Sequence, residues 1–210
     1  MAYADEEFSR LYRSNMEPES TEQIRQGLIE RARRSPEEVG CIEYVAMHPE
    51  LGRVGLVGIV DYSALHRRAE FLVGIVGKDL RHSRLAVETT LLALDLAFNQ
   101  YAIQKLYTYV YGYNDYAEKN TVKVGFRQEG LLKSHHYCRR ESRFVDLYIN
   151  GMTVEDFRCS EVIARLSQRL IGRDITLPHR IQVLGPNQER ALSEAEALTE
   201  QLRRVAAGRA

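Results

Sequence analysis

The sequence lacks an excess of charge of either sign: 29 Lys and Arg stand against 29 Asp and Glu in 210 residues, a formal net charge of zero. Without a basic surplus there is no global field to draw the chain to a phosphate backbone or an anionic membrane, so neither is an expected partner. An RNA or ribosome contact would rest on isolated basic clusters alone. Long apolar runs are also missing. The stretch Leu91–Phe98 is interrupted by Asp95 and falls well short of the roughly 20 residues that cross a bilayer. The opening Met1-Ala2-Tyr3-Ala4-Asp5-Glu6-Glu7 is acidic and has no basic segment leading into an apolar one. A secretory signal is therefore not expected, and the cytoplasm is. Cys41, Cys138 and Cys159 are odd in number and far apart, which fits neither a disulfide framework nor a CxxC metal knuckle. They read as reduced structural thiols, and no metal is expected. No fixed-period repeat is present.

What is present is an ordinary globular composition, 44% hydrophobic and 28% charged. The length suits one buried core plus an extension. Phe8, Leu11 and Tyr12 suggest a short first helix. Ser20 with Gln23 makes a capping box, and Ile24, Leu28 and Ala32 recur at helical spacing until Ser35-Pro36, which predicts a helix over 21–34. Apolar, β-branched segments at 41–47 and 54–61 flank a turn containing Pro49 and Gly52 and read as a hairpin. A third antiparallel strand is expected over Ala69–Val76. From Leu85 to Asn99 the pattern is a helix apolar around most of its circumference, as helices packed on sheets are. A strand over Lys105–Tyr111, a short helix to about Val124, and strands at 127–138 and 143–150 complete the core. Beyond Met152 the expectation is an amphipathic helix carrying Phe157, Ile163, Leu166 and Leu170, a linker at Leu177-Pro178, punctuation at Leu184-Gly185-Pro186-Asn187 and a last helix at 188–206. The division expected is thus a domain at 1–152 and a helical extension at 153–210. The extension's helices would pack on the core, close a site or pair two chains into a homodimer.

Particular residues carry a resemblance over roughly Phe8–Met152. Asn114 followed by Gly125-Phe126 and Glu129-Gly130 resembles the Asn…Gly-Phe…Glu-Gly pattern of the ribosomal-protein and spermidine N-acetyltransferase branch of the GNAT superfamily. Arg143-Phe144-Val145-Asp146 resembles that branch's closing strand, and Leu92–Phe98 its buried helix. The resemblance implies an α/β (α+β) fold: a mixed, mostly antiparallel sheet splayed at its centre, with flanking helices. The short run before the first helix leaves little room for the opening strand usual in this fold, so the sheet is expected to lack or borrow an edge.

The resemblance also implies an N-acyltransferase with acetyl-CoA or another acyl-CoA as co-substrate, lying in the splay and held along Val73-Gly74-Ile75. The donor's pyrophosphate would sit on the N-terminus of the buried helix, where unpaired N–H groups and the helix dipole favour an anion. Family members reach that helix through Arg/Gln-Gly-x-Gly-x-Gly/Ala. Here the segment reads Arg81-His82-Ser83-Arg84-Leu85-Ala86, with His82 and Arg84 in place of two glycines. Side chains there would crowd a phosphate, or Arg81 and Arg84 would bind it through charge-assisted hydrogen bonds. Asn114 matches the family asparagine that contacts the donor.

Glu70 is the expected general base, against the reading that it pairs with Arg67, Arg68 or a neighbouring strand's cation. The family's acidic tyrosine position is Thr121 here, so Tyr116, or its neighbours Tyr111 and Tyr113, would have to serve. His135 and His136 alternate to opposite faces of a strand; His135 and Tyr137 are the expected acceptor contacts. The acceptor is an amine of a small molecule or protein that no motif identifies. The filled loop and Thr121 leave two alternatives: a GNAT-like binding or regulatory protein without acyl-CoA catalysis, or an enzyme using an acyl group tethered to a carrier protein.

Overall fold

The computed structural model describes residues 6–13, 15, 20–34, 36–81 and 83–179. Helix α1 (Glu6–Tyr12) places Phe8 and Tyr12 one turn apart, and their rings stack at 5.1 Å. Helix α2 (Thr21–Ala32) starts where expected because both halves of the capping box form: Ser20 Oγ accepts from Gln23 N–H, and Gln23 Oε1 accepts from Ser20 N–H. It buries no residue. A one-turn helix α3 (Pro36–Val39) leads into the sheet.

The hairpin of β1 (Cys41–His48) and β2 (Gly52–Ser63) and the antiparallel β3 (Arg68–Ile75) follow the predicted segments. After the short α4 (Lys78–Arg81) comes α5 (Arg84–Asp95), whose ladder loosens into a π-turn over Leu96–Gln100; there Tyr101 N–H reaches back five residues to Leu96 O at 3.0 Å. Leu91 and Leu94 are fully buried, while Leu92 is 46% exposed and marks the solvent face of this mostly apolar helix.

Strand β4 (Lys105–Tyr111), helix α6 (Asp115–Val124), and strands β5 (Arg127–Cys138) and β6 (Arg143–Thr153) finish a six-stranded sheet in the order β1-β2-β3-β4-β6-β5. Asn114 caps α6 through its side chain, and Gly125 ends it in the left-handed conformation, φ +116°. All neighbours are antiparallel except β3 and β4, which run parallel and pair only from Arg68–Glu70 to Lys105–Tyr107. Among the described residues no strand precedes β1, which forms one edge. No helix of the described residues is long and apolar enough to cross a membrane.

The single amphipathic helix expected after Met152 is two: α7 (Val154–Arg158) and α8 (Glu161–Ile171), each with its own cap, Thr153 and Ser160. Phe157, Ile163 and Ile175 are fully buried in the same cluster as Ile59, Leu91 and Leu106. A boundary at 152 therefore does not separate two cores, and the unit containing the described residues runs to His179. The linker at 184–187 and the last helix at 188–206 lie outside the described residues.

Candidate active site

The site follows from a pairing that stops. Beyond Glu70 and Tyr107 strands β3 and β4 diverge. Val76 N–H donates to Val54 O at 2.9 Å across β2. Since successive peptide groups alternate sides, Phe71, Val73 and Ile75 turn theirs toward β4 and the opening. Arg81 Nε takes up Ile75 O at 3.2 Å. Val73 is left facing the gap with no partner strand on that side, a backbone edge suited to an extended amide chain. The cleft, about 220 Å³, is lined by Val73, Gly74, Ala86, Asn114, Tyr116 and Thr121 among others. Gly74 belongs here for a steric reason: a Cβ would lie 2.6 Å from atoms of both Phe8 and Tyr12, which cover β3.

The far end of the cleft meets the N-terminus of α5. Ser83 caps it, its Oγ accepting from Leu85 N–H at 3.2 Å and donating to Leu80 O at 2.6 Å. The two arginines expected to meet a phosphate are engaged elsewhere. Arg81, with its side chain 12% exposed, bonds Ile75 O and pairs with Glu7 at 3.3 Å. Arg84 Nε is 2.6 Å from Glu88, and its Nη2 reaches Leu170 O at 3.4 Å. His82 lies outside the described residues. The residues present thus fit the pantetheine part of a coenzyme A thioester through Val73, while no arginine side chain is preset for its pyrophosphate.

The other face of the opening is polar. Glu70, Leu72 and Gly74 alternate onto the α1 side of β3, and a second cavity of about 370 Å³ holds Glu70, Arg13, Asn15, His136, Tyr109 and Tyr111. Glu70 has neither of the local partners weighed for it. Arg68 pairs with Asp61 at 3.2 Å, and Arg67 bonds the carbonyl of Ala102. Burial pushes the Glu70 carboxyl above its ordinary 4.5; the Arg13 charge pulls it partly back, and Asp61 adds to the rise. Burial, then the neighbouring His135, push His136 below its ordinary 6.5, which keeps the imidazole neutral at pH 7. Tyr111 lies 4.7 Å from the His136 ring and stacks on Tyr113 at 5.3 Å. Asn15 ties α1 to the end of β5: its Nδ2 donates to Tyr137 O at 2.6 Å, and its Oδ1 accepts from Arg139 N–H at 3.1 Å. Tyr109, Tyr111, Tyr12 and Leu72 line both cavities, so the two meet through the opening.

Three expected site residues stand apart from Glu70. His135 is exposed, and Tyr137, 43% exposed, packs edge-on against Phe144 on the opposite face of the sheet. His136 takes the place in the cavity. The reason is a bulge: Gln128 faces Asn150 but Gly130 faces Ile149, so Glu129 is one extra residue that shifts which later side chains face α1. Lys105 fixes that bulge by bonding the Glu129 carboxylate at 2.8 Å. Tyr116 is on the donor side, its hydroxyl 3.2 Å from Arg81 O. Tyr113 donates to Arg10 O at 2.8 Å under the Arg10 guanidinium, a packing role. Arg13 and Asn15, which the sequence reading did not single out, had one signal: they follow directly on the sheet-facing Phe8 and Tyr12. Among the described residues no group of three or more His, Cys, Asp or Glu is gathered to hold a metal ion.

No model of a known protein family matches the chain. Spermidine N(1)-acetyltransferase of Escherichia coli (strain K12) is 33% identical over 91 residues, 43% of this chain and 48% of that protein. The match thus spans about half the length of that relative. Among solved structures, a mutant of spermidine N-acetyltransferase SpeG from Vibrio cholerae superimposes with a TM-score of 0.57 at 22% identity, covering 65% of this chain and 78% of that one. A second structure of the Vibrio cholerae spermidine/spermine N-acetyltransferase gives 0.58 at 20% identity, with coverage of 78% and 87%. With a six-stranded mixed sheet that opens between β3 and β4, these likenesses show that the chain has the GNAT fold.

Proposed function

We propose that the protein is an N-acyltransferase that takes an acyl group from acetyl-CoA or another acyl-CoA and passes it to an amine. The observation that carries this reading is the junction of two unlike cavities at one opening: an unpaired backbone edge at Val73 on one side, and an unpaired, partly buried Glu70 on the other. The edge holds the amide chain of the donor; Asn114, Thr121 and Ala86 line its course. Glu70, directly or through a water, takes a proton from the acceptor ammonium. The freed nitrogen attacks the thioester carbonyl carbon, a C–N bond forms as the C–S bond breaks, and the departing thiolate is protonated. A carboxyl lifted toward neutrality by burial suits the base, because its basicity then better matches the ammonium it must deprotonate. Tyr111 and Tyr109, at the meeting of the two cavities, are better placed than Tyr116 to give the thiolate its proton.

The curated relative and the solved neighbours are named for spermidine, an amine, which agrees with the acceptor class. Their likeness covers too little of the relative to carry its substrate over.

Calorimetric titration with acetyl-CoA, with desulfo-CoA as the non-reactive comparison, tests the reading. Micromolar binding followed by amine-dependent release of the CoA thiol is expected; absence of both sinks it. The engagement of Arg81 with Glu7 and of Arg84 with Glu88 favours a second reading, in which the acyl group arrives on a carrier protein's phosphopantetheine. Acetyl-pantetheine and acetyl-CoA would then react with equal kcat/KM.

A further inference from the structure

The cavity that holds Glu70 has a charge pattern that speaks to its ligand. Among the described residues lining it, Glu70 is the only carboxylate. Beside it stand the Arg13 guanidinium and the His136 imidazole. Arg13 makes no side-chain hydrogen bond or ion pair among the described residues, yet it is near enough for its charge to be felt at Glu70. Among the described residues, nearby charged groups are already paired: Asp61 accepts from Arg68 and the Tyr107 hydroxyl, Glu43 pairs with Arg31, and Arg10 pairs with Glu141 at 3.6 Å.

A polyamine fits this arrangement poorly. It brings two or more ammonium groups, and each needs a carboxylate or carbonyl partner once water is displaced. Here one carboxylate is taken up with proton removal, and the Arg13 guanidinium a short way off repels further positive charge. A ligand with one amine and one anion meets the same groups without conflict. Its amine faces Glu70, and its anion takes the fork of Arg13, with Asn15 and His136 beside it.

Resting on the acyl-transfer reading above, we infer that the acceptor is an amine that also carries an acidic group, a carboxylate or a phosphate, which Arg13 binds. Arg13 is thus the specificity residue of the acceptor cavity, and the preference it sets is opposite to the one that the names of the similar proteins suggest.

Amines that differ in the acid group read this directly: ornithine against putrescine, and phosphoethanolamine against ethanolamine, with spermidine as the polycation. Each is measured for equilibrium binding to the full chain and for kcat/KM with acetyl-CoA. The acid-bearing member of at least one pair is expected to bind about tenfold or more tightly, the increment of a charge-assisted contact; which pair responds identifies carboxylate or phosphate. Arg13→Glu should abolish or reverse that preference while the Kd for acetyl-CoA stays the same, and Arg13→Lys should keep most of it. Equal binding within both pairs, or tighter binding of spermidine and putrescine, overturns the inference. Efficient acetylation of spermidine would leave acyl transfer standing and this inference fallen. Preferential binding of the acid-bearing amines with no acetyl-CoA binding would do the reverse.

Discussion

The two sides of the β3–β4 opening are made of different material. On the α5 side the features are backbone: an edge at Val73 and a helix N-terminus capped by Ser83. On the α1 side they are side chains: Glu70, Arg13, Asn15 and His136. A backbone site comes with the fold and tolerates wide sequence change. A side-chain site depends on the particular residues at its positions, so likeness in fold says little about it.

The sharpest way to break the comparison is Glu70→Gln. On the proposed chemistry kcat falls by about 10²-fold or more, the usual worth of a positioned base, while the acetyl-CoA Kd stays within about twofold. In the parent enzyme activity falls as pH drops through the raised Glu70 value, and the variant loses that acid limb. The stability effect has the opposite sign. A carboxyl raised in the folded state stabilises only while protonated, below the unfolded value, and that contribution is lost as pH rises through the folded value. At pH 7 the buried carboxylate is therefore a burden, and the glutamine variant should melt about 2 °C higher by calorimetry.

Gly74→Val tests whether the two sides depend on each other. Its Cβ meets Phe8 and Tyr12 at 2.6 Å, so α1 must shift, at a cost of about 1–3 kcal/mol. Acetyl-CoA binding should weaken together with the denaturation midpoint; unchanged binding would mean that the Val73 edge does not depend on the cover of α1 over β3. Asn150→Leu sharpens the contrast from within the core. Asn150 is fully buried, and among the described residues neither polar atom of its side chain has a hydrogen-bond partner. Leucine of similar volume should raise stability by about 1–2 kcal/mol in urea unfolding. The smallest effect is expected from Arg84→Ala. Its ion pair with Glu88 is exposed, so stability should move by no more than about 0.5 kcal/mol. A tenfold loss of acetyl-CoA affinity would instead show that Arg84 swings over to the phosphates.

The same division governs what the sequence made legible. Strands β1 to β6 and their order were readable because alternation, Pro49-Glu50-Leu51-Gly52, Asn114 and Gly125 are local signals with local causes. Val73, Gly74 and Asn114 were singled out through the family resemblance, and all three line the cleft. His136 was not distinguishable from His135. Alternation says only that the two point apart, and which one faces α1 depends on the extra residue at Glu129, held by a lysine 24 positions away. Arg13 was hidden because its neighbours in space, Glu70 and His136, are distant in the chain. The break between α7 and α8 had a readable sign in Ser160, a good capping residue, but the apolar spacing runs through it and favours one helix.

The packing of the segment after Met152 into the core bears on how the protein can be cut. Asp95, 1% exposed at the end of α5, receives Arg173 at 2.7 Å and His179 at 3.1 Å, while Asn99 bonds both Asp95 and the carbonyl of Ile175. Arg158 bonds Thr176 O at 2.7 Å and closes the ring. The Arg173 guanidinium and the His179 ring that meet this buried carboxylate are thus supplied by the last stretch before residue 180. A truncation at 152, or even after α8, would strand that buried charge. Electrostatics, and not the count of helices, argues against any cut ahead of His179.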